Sequence, residues 1–145
     1  MTFMTAKKLP PGLHLDTLAV RAGIEPSQYG ENSETMYLTS SFVQPDAATA
    51  ARRFAQEEEG YVYTRVGNPT VTSMELRLAA LEGTEAAIAT SSGMAAILLL
   101  GMGLLRAGDH VVCSQSVFGS TVRLFSGEFA KFGVETTYEI GRAHV

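Results

Sequence analysis

Short apolar runs alternate with polar turns in the second half of the chain, from Glu85 onward. Brief apolar runs between turns are typical of buried strands, and longer runs of good helix formers are typical of helices. The pattern predicts, in order, a strand over 85–90, a helix over 92–106, a strand over 110–113, a helix over 117–132 and a strand over 134–138. Strands that alternate with helices are typical of a parallel sheet flanked by helices, so the predicted fold class is α/β.

The first half of the chain has weaker periodicity and more turn residues. Apolar residues recur at helical spacing over 70–81, which predicts a helix that Gly83 terminates. Pro45-Asp46 predicts a helix through about residue 56, and Asp16 is a candidate N-cap of a short helix over 16–21. The segments 37–43 and 61–64 are predicted to be extended. The acidic residues 57–59 are predicted to form a solvated surface.

Hydroxyl-bearing residues and a glycine lie where the predicted strand over 85–90 meets its helix. Ser91, Ser92 and Gly93 therefore stand at a helix start, where backbone N–H groups lack internal partners and the helix dipole is positive. Small residues there let an anion approach closely, which indicates a phosphate site. Tight packing of helix on strand explains the same residues equally well on local features. The segment 115–118 follows the next strand and should lie at the same edge of the sheet.

Two further groups of residues are candidates for binding. Tyr63 and Arg65 stand two positions apart on an extended segment, so their side chains share a face. A phenol beside a planar guanidinium is suited to holding a phosphate, whereas the plain alternative is a surface arginine beside a half-buried tyrosine. Phe118 could stack on a planar ring, or it could be a core residue at a helix start.

Composition and charge argue against several kinds of function. The 145-residue chain has a net charge of −4, which does not favour a nucleic-acid surface. Its apolar run over 94–105 is too short to span a membrane, and the N-terminus lacks the pattern of a secretory signal. The single cysteine, Cys113, cannot form an intrachain disulfide and is predicted to be buried. The histidines are scattered, so no metal-binding pattern is present. The glycines of Gly101-Met102-Gly103 lie inside a predicted helix and do not match a dinucleotide-binding motif.

Four ordered blocks carry a resemblance to a known family: residues 63–70 (YTRVGNPT), 89–96 (ATSSGMAA), 107–111 (AGDHV) and 116–121 (SVFGST). They resemble the Cys/Met-metabolism enzymes, which use pyridoxal 5'-phosphate and have the aspartate-aminotransferase (type I) fold. The similarity runs from about residue 18 to residue 138. Within the family, the blocks over 38–42 and 116–119 look most like those of the O-succinylhomoserine sulfhydrylases. The resemblance implies an N-terminal fragment of such an enzyme, with an incomplete, mostly parallel sheet.

The resemblance also implies roles for the matching residues. The N–H groups of Gly93 and Met94 match those that bind the cofactor phosphate, and Ser92 lies in the same turn. Tyr63 and Arg65 match a pair that enters the neighbouring subunit's site and holds its phosphate. Tyr63 is also the candidate catalytic residue.

Phe118 matches the aromatic residue that stacks on the cofactor ring, where many relatives have tyrosine. Phenylalanine has no hydroxyl to assist proton transfer, which favours sulfhydrylases over lyases. The lysines of this sequence are Lys7, Lys8 and Lys131, and none matches the Schiff-base lysine of the family. We therefore expect the chain alone to be inactive and to bind the cofactor weakly.

The resemblance implies a transferase that makes homocysteine from O-succinylhomoserine and sulfide, in methionine biosynthesis of the transsulfuration type. The substrate would be a small amino acid, with no nucleic-acid or membrane partner. The alternatives are a cystathionine γ-synthase or a γ-lyase of the same family, a non-catalytic phosphate-binding α/β module, or a fragment that only mediates assembly. The implied assembly is a cytoplasmic homotetramer with a site shared between subunits, although the residues leave the oligomer size open.

Three regions are predicted along the chain. Residues 1–60 form an N-terminal arm and helical segment for subunit contact, and residues 61–139 begin the large cofactor-binding α/β domain. The ending over 140–145 resembles a translated sequencing adapter, which predicts that it is not native.

Overall fold

The computed structural model describes residue 10 and residues 12–140. It divides into two compact units, of which the first ends at Ala89 and the second begins at Thr90. Residues 1–9 and 11 of the predicted arm, and 141–145 of the predicted non-native ending, lie outside the described residues. The predicted division of the longer enzyme at residues 60 and 61 stays a prediction.

The first unit contains three helices joined by non-helical segments: α1 (Leu15–Arg21), α2 (Ala47–Phe54) and α3 (Pro69–Glu82). The helix predicted to start at Pro45-Asp46 is confirmed as α2, and Asp46 is its N-cap, since its carboxylate accepts a hydrogen bond from the Thr49 N–H at 2.7 Å. The helix predicted over 70–81 is confirmed as α3, and Gly83 ends it in the left-handed region, at φ 66°. Helix α1 begins at Leu15, and its N-cap is His14 and not the predicted Asp16.

The two segments predicted to be extended lie side by side. Ser41 and Tyr63 form an isolated antiparallel bridge, and the N–H of Phe42 donates to the carbonyl of Val62 at 3.1 Å. The rings of Phe42 and Tyr61 lie 5.4 Å apart, centroid to centroid. The backbone that leads to Tyr63 is therefore held against a segment from earlier in the chain.

The second unit consists of α4 (Gly93–Leu104), β1 (His110–Ser114), α5 (Gly119–Arg123), a π-helix (Leu124–Phe129) and β2 (Glu135–Glu139). The two strands pair in parallel, with His110 opposite Glu135 and Ser114 opposite Glu139. The helical connection between them covers the sheet, as a parallel pair requires. The core of this unit contains Phe125, Phe129 and Val134, with Ile97, Leu105, Val111 and Leu124 packed around them.

Two details of the predicted second half are wrong. Residues 85–90 form no ladder within the described residues, so the observed sheet has two strands rather than three. The N–H of Ala89 donates instead to the carboxylate of Glu75 at 2.7 Å, so a side chain takes the place of a ladder partner. The helix predicted over 117–132 begins at Gly119 and contains the π-helix, in which each backbone turn is widened.

The predicted burial of Cys113 is confirmed, since it is 8% exposed in β1. The acidic segment is only partly the predicted solvated surface. Glu57 and Glu59 are exposed, but Glu58 forms ion pairs with Arg52 at 2.8 Å and Arg53 at 3.2 Å. Hydrogen bonding from Arg52 is the main reason that the pKa of Glu58 is lowered. Among the described residues, no helix is long and apolar enough to cross a membrane.

Gly101 and Gly103 of α4 provide a matched test of the packing in the second unit. A Cβ at Gly101 would overlap the ring of Phe129, whereas a Cβ at Gly103 would meet no atom within 4 Å. We expect Gly101→Ala to lower the free energy of unfolding by about 1–3 kcal/mol through overpacking. Gly103→Ala should be neutral or raise that free energy by up to about 1 kcal/mol, because alanine favours helix. Urea unfolding of the full-length protein measures both, and equal effects would contradict the packing described.

Glu31 gives the first unit a defined response to acid. Its carboxylate accepts hydrogen bonds from the Thr35 hydroxyl at 2.6 Å, the Ser27 N–H at 2.8 Å and the Ser27 hydroxyl at 2.7 Å. These bonds, that from Thr35 most of all, lower the pKa of Glu31 from 4.5 to about 2. A lowered pKa in the folded state means that the carboxylate stabilises the fold above pH 4.5 and that this contribution is lost as the pH falls toward 2.

Unfolding measured between pH 6 and pH 2.5 on wild type and Glu31→Gln checks this expectation. The stability difference between the two proteins should be largest at the higher pH and should shrink as the acid protonates Glu31. A difference that stays constant across this range would contradict it.

Candidate functional site

The start of α4 leaves two backbone N–H groups available. Ser92 is extended, with φ −165° and ψ 163°, and its Oγ accepts a hydrogen bond from the Ala95 N–H at 3.1 Å. The Thr90 hydroxyl donates to the Ser92 carbonyl at 2.9 Å, which fixes the turn. In the part of the chain that the structure describes, the N–H groups of Gly93 and Met94 have no hydrogen-bond partner.

The space beside Gly93 is open. No atom lies within 4 Å of the position that a Cβ would take at Gly93, and the residue is exposed. The two free N–H groups lie at the positive end of a twelve-residue helix. This arrangement can accept an anion such as a phosphate.

Phe118 lies in the second unit as well, directly before α5. Its side chain is 73% exposed, and its carbonyl accepts a hydrogen bond from the Thr121 N–H at 2.8 Å. Thr121 is buried, and its hydroxyl lies 3.7 Å from the sulfur of Met94. The starts of α4 and α5 are therefore adjacent, so the two candidate segments that follow apolar runs do meet in the second unit. The exposure of Phe118 excludes its alternative interpretation as a core residue of this chain.

Tyr63 and Arg65 lie together in the first unit. The guanidinium carbon of Arg65 lies 5.2 Å from the centroid of the Tyr63 ring, which is a cation–π contact. The two side chains therefore lie together as predicted, but Arg65 lies in a turn and not on an extended segment. A tight turn follows, in which the N–H groups of Val66 and Gly67 donate to the Tyr63 carbonyl at 2.9 and 3.1 Å. Both side chains are exposed, which agrees with phosphate binding and with a plain surface position alike.

Sequence reasoning missed the role of Asn68. Asn68 is the N-cap of α3 and is only 3% exposed. Its side chain joins the start of α3 to Tyr37 and to Thr64, next to the Tyr63–Arg65 segment. The Asn68-Pro69 pair is a helix-start signal that could have placed Asn68 at the cap. Its two tertiary partners have no signal in the sequence.

A sequence model of the Cys/Met metabolism PLP-dependent enzyme family matches residues 16–142. The chain belongs to this family. The relatives include an O-succinylhomoserine sulfhydrylase of Pseudomonas aeruginosa, 54% identical over 127 residues that make up 88% of this chain and 32% of that protein. An L-methionine gamma-lyase of Fusobacterium nucleatum is 47% identical over 86% of this chain and 31% of its own length.

Solved structures agree with the family. The crystal structure of metY from Campylobacter jejuni, which contains N'-pyridoxyl-lysine-5'-monophosphate, matches with a TM-score of 0.82 and 30% identity. The match covers 89% of this chain and 32% of that one. The predicted fold class is therefore confirmed as that of an α/β pyridoxal-phosphate enzyme, of which this chain is a part. The chain spans about a third of the length of the curated relatives it matches.

The described residues fit parts of the cofactor of this family, pyridoxal 5'-phosphate. The free N–H groups of Gly93 and Met94 fit a phosphate, and the exposed ring of Phe118 fits a planar heterocycle. Lys131 does not fit as the covalent anchor, because its ammonium donates to both carboxylate oxygens of Glu128 at 2.8 and 2.9 Å on the helix surface. Lys7 and Lys8 lie outside the described residues.

Proposed function

We propose that this chain is part of a pyridoxal-phosphate-dependent transferase that makes homocysteine from O-succinylhomoserine and sulfide. The observation that carries the proposal is the 54% identity to an O-succinylhomoserine sulfhydrylase, which extends over 88% of the chain. In the proposed reaction a C–S bond to sulfide forms at Cγ, the C–O bond to succinate breaks, and succinate leaves. When bound, the cofactor supplies the electron sink that permits loss of this γ-substituent.

The chain's own residues would bind and orient the cofactor. The N–H groups of Gly93 and Met94 would donate to its phosphate, with Ser92 fixing the helix start that presents them. The ring of Phe118 would stack on the cofactor ring. We further propose that Tyr63 and Arg65 hold the phosphate in a neighbouring subunit of a cytoplasmic homo-oligomer, a homotetramer. Tyr63 would also shape the site and pass a proton.

A γ-lyase is the second candidate, supported by the 47% identity to an L-methionine gamma-lyase. Phe118 has no hydroxyl to assist proton transfer, and we take this as support for the transferase. The full-length protein should be assayed with O-succinylhomoserine and sulfide, with the same ester and cysteine, and with methionine alone. Homocysteine and succinate in the first assay support the proposal. Cystathionine from the second assay alone would indicate a γ-synthase, and methanethiol from methionine alone would indicate a lyase.

A further inference from the structure

Asn68 is buried, and its side-chain amide forms three hydrogen bonds. Its amide nitrogen donates to the Tyr37 carbonyl at 3.0 Å and to the Thr64 hydroxyl at 3.1 Å. Its amide oxygen accepts from the Thr70 N–H at 2.9 Å, which caps α3. Capping needs only the oxygen. The two donated bonds therefore serve another purpose than starting the helix.

These donated bonds join the turn after Tyr63 to the segment over 37–40. Thr64 also binds that segment directly, because its N–H donates to the Ser40 carbonyl at 2.9 Å and its hydroxyl to the Thr39 carbonyl at 2.5 Å. The Tyr37 N–H completes the set by donating to the Thr70 hydroxyl at 2.8 Å. We name Asn68, Thr64, Thr70 and Tyr37 the Asn68 bridge.

The Asn68 bridge fixes the backbone that carries Tyr63 and Arg65. The side chains of these two residues have few other contacts. Within the described residues, the side chains of Tyr63 and Arg65 contact each other but form no hydrogen bond or ion pair. Their positions therefore depend on the backbone between residues 63 and 67. If the arginine side chain becomes ordered only when phosphate binds, the conformational entropy that it loses weakens the binding.

We propose that Asn68 is a positioning residue, which holds Tyr63 and Arg65 in the geometry that binds the cofactor phosphate. The proposal rests on the proposed function, since it concerns the same phosphate. It predicts that breaking the Asn68 bridge weakens phosphate binding while both phosphate-binding side chains remain in the chain.

Asn68→Asp tests the two donated bonds without removing the helix cap, since a carboxylate still accepts from the Thr70 N–H. In the full-length protein stripped of cofactor, the dissociation constant of pyridoxal 5'-phosphate should rise about three- to thirtyfold, as expected for one or two lost hydrogen bonds. Binding of pyridoxal, which has no phosphate, should be unchanged. Asp46→Ala is the matched control, because it removes the cap of α2 and leaves the Asn68 bridge intact.

Thr64 provides a second route if Asn68→Asp does not fold. Thr64 is exposed, so changes there should be tolerated. Thr64→Val removes the hydroxyl that joins Asn68 to Thr39 and should weaken pyridoxal 5'-phosphate binding severalfold. Thr64→Ser keeps that hydroxyl and should restore wild-type affinity.

A double-mutant cycle separates positioning from general destabilisation. In an Arg65→Ala background, Asn68→Asp (or Thr64→Val) should weaken the affinity less than it does in wild type, because only Tyr63 is left to be positioned. The inference is overturned if the effects add, or if pyridoxal binding weakens equally. It is also overturned if Arg65→Ala weakens binding while neither bridge variant does. Unchanged affinity in Arg65→Ala itself would overturn the proposed phosphate role of Arg65, and the inference with it.

Discussion

Replacing Arg65 with alanine is expected to weaken binding of pyridoxal 5'-phosphate by about ten- to hundredfold, the usual effect of losing hydrogen bonds to a charged group. The guanidinium of Arg65 already lies over the Tyr63 ring, 5.2 Å from its centroid, so both groups are in place before an anion arrives. Because the interaction is with a dianionic phosphate, pyridoxal should bind equally well to wild type and variant. Titration of the cofactor-free, full-length protein with each compound measures the effect.

Two further variants divide this effect into charge and geometry. Arg65→Lys keeps the charge but loses the planar fork that suits a phosphate, and it should fall between wild type and Arg65→Ala. Tyr63→Phe keeps the ring beneath the guanidinium and removes only the hydroxyl. If Arg65→Ala lost the oligomer but bound the cofactor as wild type does, Arg65 would serve assembly instead.

The second half of the fold was largely predictable because its elements bury one face locally. The apolar runs correctly placed α4, β1 and β2, and the parallel pairing follows from the helical connection between the strands. The segment 85–90 has the same apolar character, yet it forms no ladder in the described residues. A ladder needs a partner strand, and the composition of a segment does not show whether a partner is present. The first unit satisfies the Ala89 N–H with Glu75 instead, fourteen positions away in sequence.

The geometry and packing of the π-helix after α5 were less predictable than the helical run that contains both. A run with helical spacing does not show whether its backbone turns are regular or widened, so the π-helix over Leu124–Phe129 has no signal in the pattern. Phe125 and Phe129 are both buried, with ring centroids 5.2 Å apart. The close approach of Phe129 to Gly101 likewise depends on how α4 packs. From the sequence alone, Gly101 is only a weak helix former, with no sign of a packing role.

The candidate site was predictable where its chemistry is local. A hydroxyl and a glycine at a helix start predict the free N–H groups of α4. Tyr63 and Arg65 were predicted to lie together and do so, although a turn brings them together and not the predicted extended spacing. The Asn68 bridge was not predictable, because its donors and acceptors come from segments up to 33 positions apart. Burial of an asparagine is decided by tertiary partners. Residues that position a site are therefore harder to find in a sequence than those that touch the ligand.

The second large effect is expected from Gly93→Pro, which removes one N–H from the start of α4 without removing the helix. Proline lacks an N–H and is favoured at the first helical position, and the residue before it must be extended. Ser92 meets that requirement, with φ −165° and ψ 163°. The chain already starts α3 in this way, with Pro69 after an extended Asn68 at φ −146° and ψ 135°. The free energy of unfolding should therefore change little.

Binding of pyridoxal 5'-phosphate to Gly93→Pro should weaken about ten- to hundredfold, since a hydrogen bond to a charged phosphate is lost. Gly93→Ala is the matched control, because it retains the N–H and its Cβ would meet no protein atom within 4 Å. Gly93→Ala should lose less affinity for pyridoxal 5'-phosphate than the proline variant does. Both variants should bind pyridoxal, which has no phosphate, as wild type does. Equal affinity of the two variants for the phosphorylated cofactor would show that the Gly93 N–H does not bind the phosphate. The open space beside Gly93 would then accommodate the cofactor without holding it.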